Sequence, residues 1–249
     1  MDGAPQVLEH AYVAVEGTKI ASVGTEPPEG TFDRVVDGAG KVLLPGFVNA
    51  HTHLPMTLMR GYGGGCDLHT WLNQYIFPAE ARLDSRAVAA GAGLGLAEMI
   101  ASGVTCVADM YMHTGTIAEQ ILEAGISANL SCGGVYFGAP EDFSPETCGD
   151  CRNQAALTEE WHGAGAGQIL VDASVHGEYT SNPPLWRWMA EYAAEHRLGM
   201  HVHVSETQSE HQASLERWGK TPIQALDGCG VWDCVRSLAA HCVYTTEED

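Results

Sequence analysis

Basic residues are scarce in this chain: 12 lysines and arginines stand against 32 aspartates and glutamates, for a formal charge of −20, and no Lys/Arg cluster relieves it. A phosphate backbone would be repelled by such a surface, which argues against nucleic acid as a partner. Long apolar runs are missing as well. No uninterrupted stretch approaches the roughly 20 residues of a membrane span, and Asp2, Pro5 and Glu9 interrupt the start where a secretory leader would be apolar. The expectation is a cytoplasmic protein without membrane segments. Cysteine is not lacking, with eight present, but the single C-x-x-C, Cys148-Gly-Asp-Cys151, reads as part of a polar loop and has no second pair to complete a metal site. The thiols are therefore expected to be reduced and mostly buried, and this pair incidental.

A length of 249 residues matches one α/β barrel, two ordinary domains or part of a larger enzyme, and with 45% hydrophobic residues a sizeable core is expected. The first 42 residues show no helical period. Tyr12–Val15, the turn Glu16-Gly17 and Ile20–Val23 read as a hairpin, with further strands expected through Val35-Val36 and over Lys41–Leu44. From residue 45 the pattern changes to strand and helix in alternation. Strands are expected at Phe47–Ala50, Val104–Ala108, Ser127–Tyr136, Gln168–Val175, Leu198–Val204 and Ser237–Tyr244. Between them, helices are expected at 68–77, 85–102, 116–123, 157–163, 184–196, 206–218 and 222–226, with Thr246 as the N-cap of one more. Six strands with interleaved helices imply a parallel sheet covered on its faces. His51, His53, His176, His203 and His241 all fall at or just beyond strand ends. Those ends converge in a barrel and spread apart in an open sheet, so the histidines favour the barrel.

The stretch LLPGFVNAHTHL, 43–54, organises the chemistry. His51 and His53 are two positions apart, so on a strand both imidazoles address one point. His201 and His203 share a face in the same way. Three neutral imidazoles around zinc with a place left for water is a common catalytic arrangement, and such water becomes a nucleophile near neutral pH. We read His51, His53 and His203 as the ligands, and His201 as a core histidine or one that supports the ligands from behind. Glu206 lies just past the strand, where a carboxylate can take the water's proton and pass it on.

The segments PGFVNAHTHLPM (45–56), ASGVTCVADMY (101–111), HVHVSET (201–207) and AAHCVY (239–244) resemble the amidohydrolase superfamily. More narrowly they resemble its branch of aminohydrolases acting on S-adenosylhomocysteine, methylthioadenosine, guanine, chlorinated triazines and related N-heterocycles. The resemblance implies a (β/α)8 TIM-type barrel beside a small β-sandwich module, and one divalent metal, zinc with iron as the alternative. It implies that His51, His53 and His203 are ligands, that Glu206 is the proton shuttle, and that His241 helps activate water. His176 matches a substrate-contacting histidine, and Glu80 an acidic residue that holds ribose hydroxyls. Trp71 and the glycine-rich loop before it are read either as a lid over the mouth or as a structural loop.

On this reading residues 1–44 are part of the small module, and 45–249 are a barrel truncated after the sixth of eight strands. The family's eighth strand carries an aspartate ligand that has no counterpart here; Asp249 falls at a helix start. The expected reaction is metal-dependent hydrolysis of a carbon–nitrogen bond other than a peptide bond, the deamination of an aminopurine nucleoside or similar N-heterocycle by a metal-activated water. The alternatives are a triazine or cyclic-amide hydrolase, or an inactive fragment or scaffold. No arginine lies between Arg86 and Arg152 to read a carboxylate tail, which weighs against S-adenosylhomocysteine. The partner is a small N-heterocycle, and a homo-oligomer is left open.

Overall fold

A computed structural model describes residues 7–249. The chain parts into two compact units between Pro45 and Gly46. In the first, β1 (Tyr12–Glu16) and β2 (Lys19–Gly24) form an antiparallel hairpin, with a register shift at Ala14/Val15. The two further strands expected there do not form. Val35, Val36, Val42, Leu43 and Leu44 are exposed by 62% or more, because a strand exists only through a partner and the hairpin takes no third one.

The second unit is a six-stranded parallel sheet whose strands lie in sequence order: β3 (Phe47–Thr52), β4 (Val104–Met110), β5 (Ser127–Ser131), β6 (Ile169–Gly177), β7 (Gly199–Val204) and β8 (Ser237–His241). In a flat sheet β3 and β8, five neighbours apart, would stand about 24 Å from each other. The rings of His51 on β3 and His241 on β8 are 5.2 Å apart. The sheet is therefore curled into a nearly closed barrel, as the placement of the histidines requires. Helices α1 (Ser85–Ala101), α2 (Thr114–Ala124), α3 (Gly149–Trp161), α4 (Pro183–His196), α5 (Gln208–Trp218) and α6 (Pro222–Asp227) connect the strands.

Two buried clusters hold this unit together. One packs Leu54, Val88, Leu96, Ile117 and Ile121 against Val107 and Leu130; the other packs Trp186, Met189 and Leu226 against Val175, Met200 and Val202. Strand β7 is buried along its whole length. Its GMHVHV run does not alternate in hydrophobicity because both faces are covered.

Several expected elements differ in extent. The strand expected to reach Tyr136 ends at Ser131, since Gly133 takes a left-handed turn (φ 67°). The helix expected at 157–163 begins at Gly149 with Cys148 as its N-cap, so the C-x-x-C pair lies in a helical first turn rather than a loop. Both of these thiols are buried and all eight cysteines are free, but Cys66 is exposed and the other five are half-buried, so the expectation of mostly buried thiols holds for this pair alone. The last strand ends at His241 rather than Tyr244, and Thr246 starts a turn closed by the Asp249 carboxylate instead of a helix. Leu68–Glu80 is helical throughout, with a π-turn over Leu72–Ile76. Trp71 donates its indole N–H to the Tyr62 carbonyl (2.9 Å), pinning the glycine-rich loop from beneath.

Candidate metal centre

Gly46, just before β3, lets that strand lie close to β4. A Cβ on Gly46 would overlap the Thr105 side chain, and with none there the Phe47 N–H reaches the Gly103 carbonyl at 2.9 Å. The strand then runs to His51, and His53 follows its end. From the far side of the curled sheet come His201 and His203 on β7, and His241 ends β8. Ring centroids place His53, His203 and His241 within 4.8–5.2 Å of His51. The nitrogens of His51, His203 and His241 converge within 4.8 Å of one another, and His53 Nε2 lies 3.2 Å from His203 Nε2.

That last spacing is informative. Two neutral imidazoles gain nothing by aiming lone pairs at each other, whereas a tetrahedral zinc with nitrogens at about 2.0–2.1 Å sets neighbouring ligands about 3.3 Å apart. His53 donates Nδ1–H to the Met110 carbonyl (2.5 Å), and His203 donates Nδ1–H to the His176 carbonyl (2.6 Å). Each bond fixes the ring and leaves Nε2 as the free donor of electrons. Electrostatics agree with neutral rings. Burial, then the neighbouring His53, His241 and His176, pushes His51 down to about 4. His203 is held well below its ordinary value by burial first and then by His176, His53 and His51. Protonated histidines cannot bind a cation, and these are neutral at physiological pH. The donor set therefore fits a divalent metal.

Glu206 and His241 stand at the mouth, with His241 Nε2 3.7 Å from a Glu206 carboxylate oxygen. The backbone is bent to present them: Ser205 has φ 51° and His241 φ 79°, conformations a side chain makes costly. Glu210 supports the first of these bends. Its buried carboxylate accepts the N–H of Ser205 at 2.8 Å and of Glu206 at 2.7 Å, while Tyr244 N–H donates to the Ser205 carbonyl at 2.9 Å.

His176 follows on β6, 4.9 Å from the His203 ring, and donates Nδ1–H to Thr180 Oγ1 (3.0 Å). Its pKa is lowered to about 4, by burial and then by His53. Phe77 lies edge-on to it at 6.5 Å. Glu80 is buried at the end of the same helical stretch as Phe77, beside the Tyr111 hydroxyl but without a regular hydrogen bond. Burial pushes its carboxyl pKa up and the tyrosine partly offsets that. Tyr111 in turn stands 6.2 Å from the His53 ring, so Glu80 reaches the cluster through a tyrosine rather than directly.

Three supporting residues escape a reading of the sequence. Asp109 is fully buried, accepts the Leu54 N–H at 2.6 Å just after His53, and is pushed up to about 7 by burial. Ser131 is hydrogen bonded to His201. Glu210 was within reach of pattern reading, since Thr207-x-x-Glu210 is a capping box. Asp109 and Ser131 carry no local signal, because their partners lie 22 or more residues away.

Comparison with known proteins places these features in a family. Residues 42–249 match the model of the amidohydrolase family. The chain is 36% identical, over 100% of its length and 57% of the relative's, to a 5-methylthioadenosine/S-adenosylhomocysteine deaminase of Syntrophomonas wolfei. It is 40% identical to a 5'-deoxyadenosine deaminase of Methanothermobacter thermautotrophicus, over 96% of this chain and 56% of that one. The crystal structure of an adenosine deaminase from Xanthomonas campestris with bound zinc superposes with a TM-score of 0.73 at 30% identity, covering 82% of this chain and 46% of that chain. The chain thus spans about half the length of the curated relatives it matches.

Proposed function

This chain belongs to the amidohydrolase family, and from that premise we propose that its histidine cluster is the metal centre of a hydrolytic deaminase acting on an aminopurine nucleoside. The observation that carries the proposal is the convergence of neutral imidazoles with free Nε2 atoms, two of them 3.2 Å apart, beside a carboxylate at the barrel mouth. His51, His53 and His203 would hold one divalent metal, zinc with iron as the alternative. When bound, that metal lowers the pKa of water toward neutrality and so supplies a nucleophile at physiological pH.

Glu206 accepts one proton from the attacking water and delivers it to the ring nitrogen beside the carbon under attack. The new C–O bond forms as that nitrogen gains the proton. A second proton, from the hydroxyl just added, passes through the same carboxylate to the exocyclic amine, the C–N bond breaks, and ammonia leaves as the hydroxyl becomes an oxo group. His241, 3.7 Å from Glu206, orients the water oxygen and steadies its charge. Thr180 takes the Nδ1–H of His176, which leaves Nε2 to accept an N–H or O–H of the substrate. Glu80 receives ribose hydroxyls, with Phe77 beside the base. The relatives named for 5'-deoxyadenosine and for 5-methylthioadenosine/S-adenosylhomocysteine support an adenosine-type nucleoside altered at its 5' position. Eight free thiols suit a reducing, cytoplasmic setting.

The test is ammonia release by the zinc-loaded chain from 5'-deoxyadenosine, 5'-methylthioadenosine, S-adenosylhomocysteine, adenosine and guanine, with Glu206→Gln alongside. The reading expects turnover of an adenosine-type substrate that falls by roughly 10²–10⁴ in the variant at unchanged metal content. A chain that binds one equivalent of zinc and releases ammonia from none of them refutes it.

A further inference from the structure

His53 and His203 each give Nδ1–H directly to a main-chain carbonyl, but among the described residues His51 has no such partner. Its Nδ1 lies 2.8 Å from His201 Nε2 instead. His201 is 1% exposed, and its Nδ1 is 3.2 Å from the hydroxyl of fully buried Ser131. The Ser131 hydroxyl donates to the Asp109 carbonyl at 3.2 Å. Each direction in this chain then follows from the last. A carbonyl can only accept, so the serine proton is committed to Asp109, and Ser131 Oγ must accept from His201 Nδ1–H. His201 Nε2 is left with a lone pair and accepts from His51 Nδ1–H. His51 Nε2 is left with its own lone pair, on the side of the cluster.

We propose that His201 and Ser131 are positioning residues that fix the tautomer and ring plane of His51, extending to the third imidazole the control that carbonyls exert directly on His53 and His203. The inference rests on reading the cluster as a metal centre. His201 is not itself a ligand in this arrangement. Its Nε2 aims at His51, and 2.8 Å is shorter than the spacing of about 3.3 Å that two nitrogens on one tetrahedral zinc adopt. A buried neutral imidazole has one donor and one acceptor nitrogen to satisfy, and His201 meets both with a serine on one side and His51 on the other.

Long-range ¹H–¹⁵N correlation of the imidazoles in the metal-free chain at pH 8 reads which nitrogen bears the hydrogen. Zinc affinity is read in parallel by competition with a chelator. The wild type should show Nδ1–H at both His51 and His201. His201→Phe should move His51 toward Nε2–H and weaken zinc by roughly 10–100-fold. His201→Gln, which can accept from His51 and donate to Ser131, should restore both readouts in large part. Ser131→Ala, which keeps the histidine and its packing, should loosen the His51 tautomer even if the phenylalanine variant folds poorly. Nε2–H at His51 in the wild type overturns the proposal, as does a tautomer and affinity unmoved by His201→Phe. A wild type with His51 Nδ1–H that takes up no zinc upholds the hydrogen-bond chain and overturns the metal-centre reading instead.

Discussion

Replacing Arg217 by methionine should cost this chain about 3 kcal/mol of stability. Glu178 opens the turn after β6 and is 1% exposed. A single guanidinium nitrogen of Arg217, on α5, straddles both of its oxygens at 2.8 and 2.7 Å, and the Trp218 indole N–H also donates to the carboxylate. Methionine keeps the bulk of the arginine stem and removes the charge, leaving a buried carboxylate with one neutral donor. Breaking a buried pair from one side costs about 3–5 kcal/mol. The Arg217 side chain is 42% exposed, so water enters the gap and the lower end applies. In a chain of this size that is a fall of about 6–12 °C in Tm. Urea unfolding with equal m-values for both proteins gives the free energy. The paired change Glu178→Gln with Arg217→Met removes the stranded charge and should recover most of the loss. A loss under about 1 kcal/mol for the single change, the size of an ordinary surface ion pair, would refute the reasoning.

Acid should unfold the metal-free chain in a window set by its histidines. Unfolded His51 titrates at 6.5 and folded His51 at about 4, so the unfolded chain binds more protons between those values. The stability contributed is whole above pH 6.5 and lost as pH falls to 4. Asp109, raised to about 7, acts in the opposite sense. Comparing wild type with His51→Asn cancels it: the wild type should lose ground to the variant on acidification in urea titrations, and parallel curves would sink the idea. Two glycines of α1 should respond oppositely to alanine. A Cβ at Gly91 would stand 2.6 Å from the Pro55 carbonyl, on the turn that follows His53, and should cost roughly 1–3 kcal/mol by overpacking. Gly93 meets only Gln120 at 3.4 Å and should gain up to about 1 kcal/mol of helix propensity. Equal Tm shifts for the two would contradict the packing described.

The barrel strands were legible because both of their signals are local. Apolar runs bounded by glycine or by polar loops mark strands buried on both faces, and the 3.6-residue period marks the helices between them. The two strands expected near Val35 and Val42 show the limit of that method. Their residues have the composition of strands, yet a strand is a property of a pair, and no sequence window contains the partner. Cys148 misled in the other direction. Its segment is polar enough to pass for a loop, but α3 presents only Cys151, Gln154 and Leu157 to the interior, three positions in 13 residues, too few to dominate a hydrophobic pattern.

The site divides along the same line. That His51, His53, His203 and His241 meet was legible because each falls at a strand end, and strand ends converge in a barrel. What orients His53 and His203 and leaves each free at one nitrogen is written elsewhere, in main-chain atoms that no residue letter encodes. The carbonyls of Asp109 and Met110, adjacent on β4, face two different histidines, one through Ser131 and His201 and one directly. The end of β4 thus touches the histidine cluster through its carbonyls while contributing no imidazole to it. Its hold depends on backbone register, since Thr52 pairs with Asp109 and Met110 with Ser131. A one-residue slip of that strand would move one of these carbonyls to the other's position and carry the second away from both partners, while leaving every histidine in the sequence.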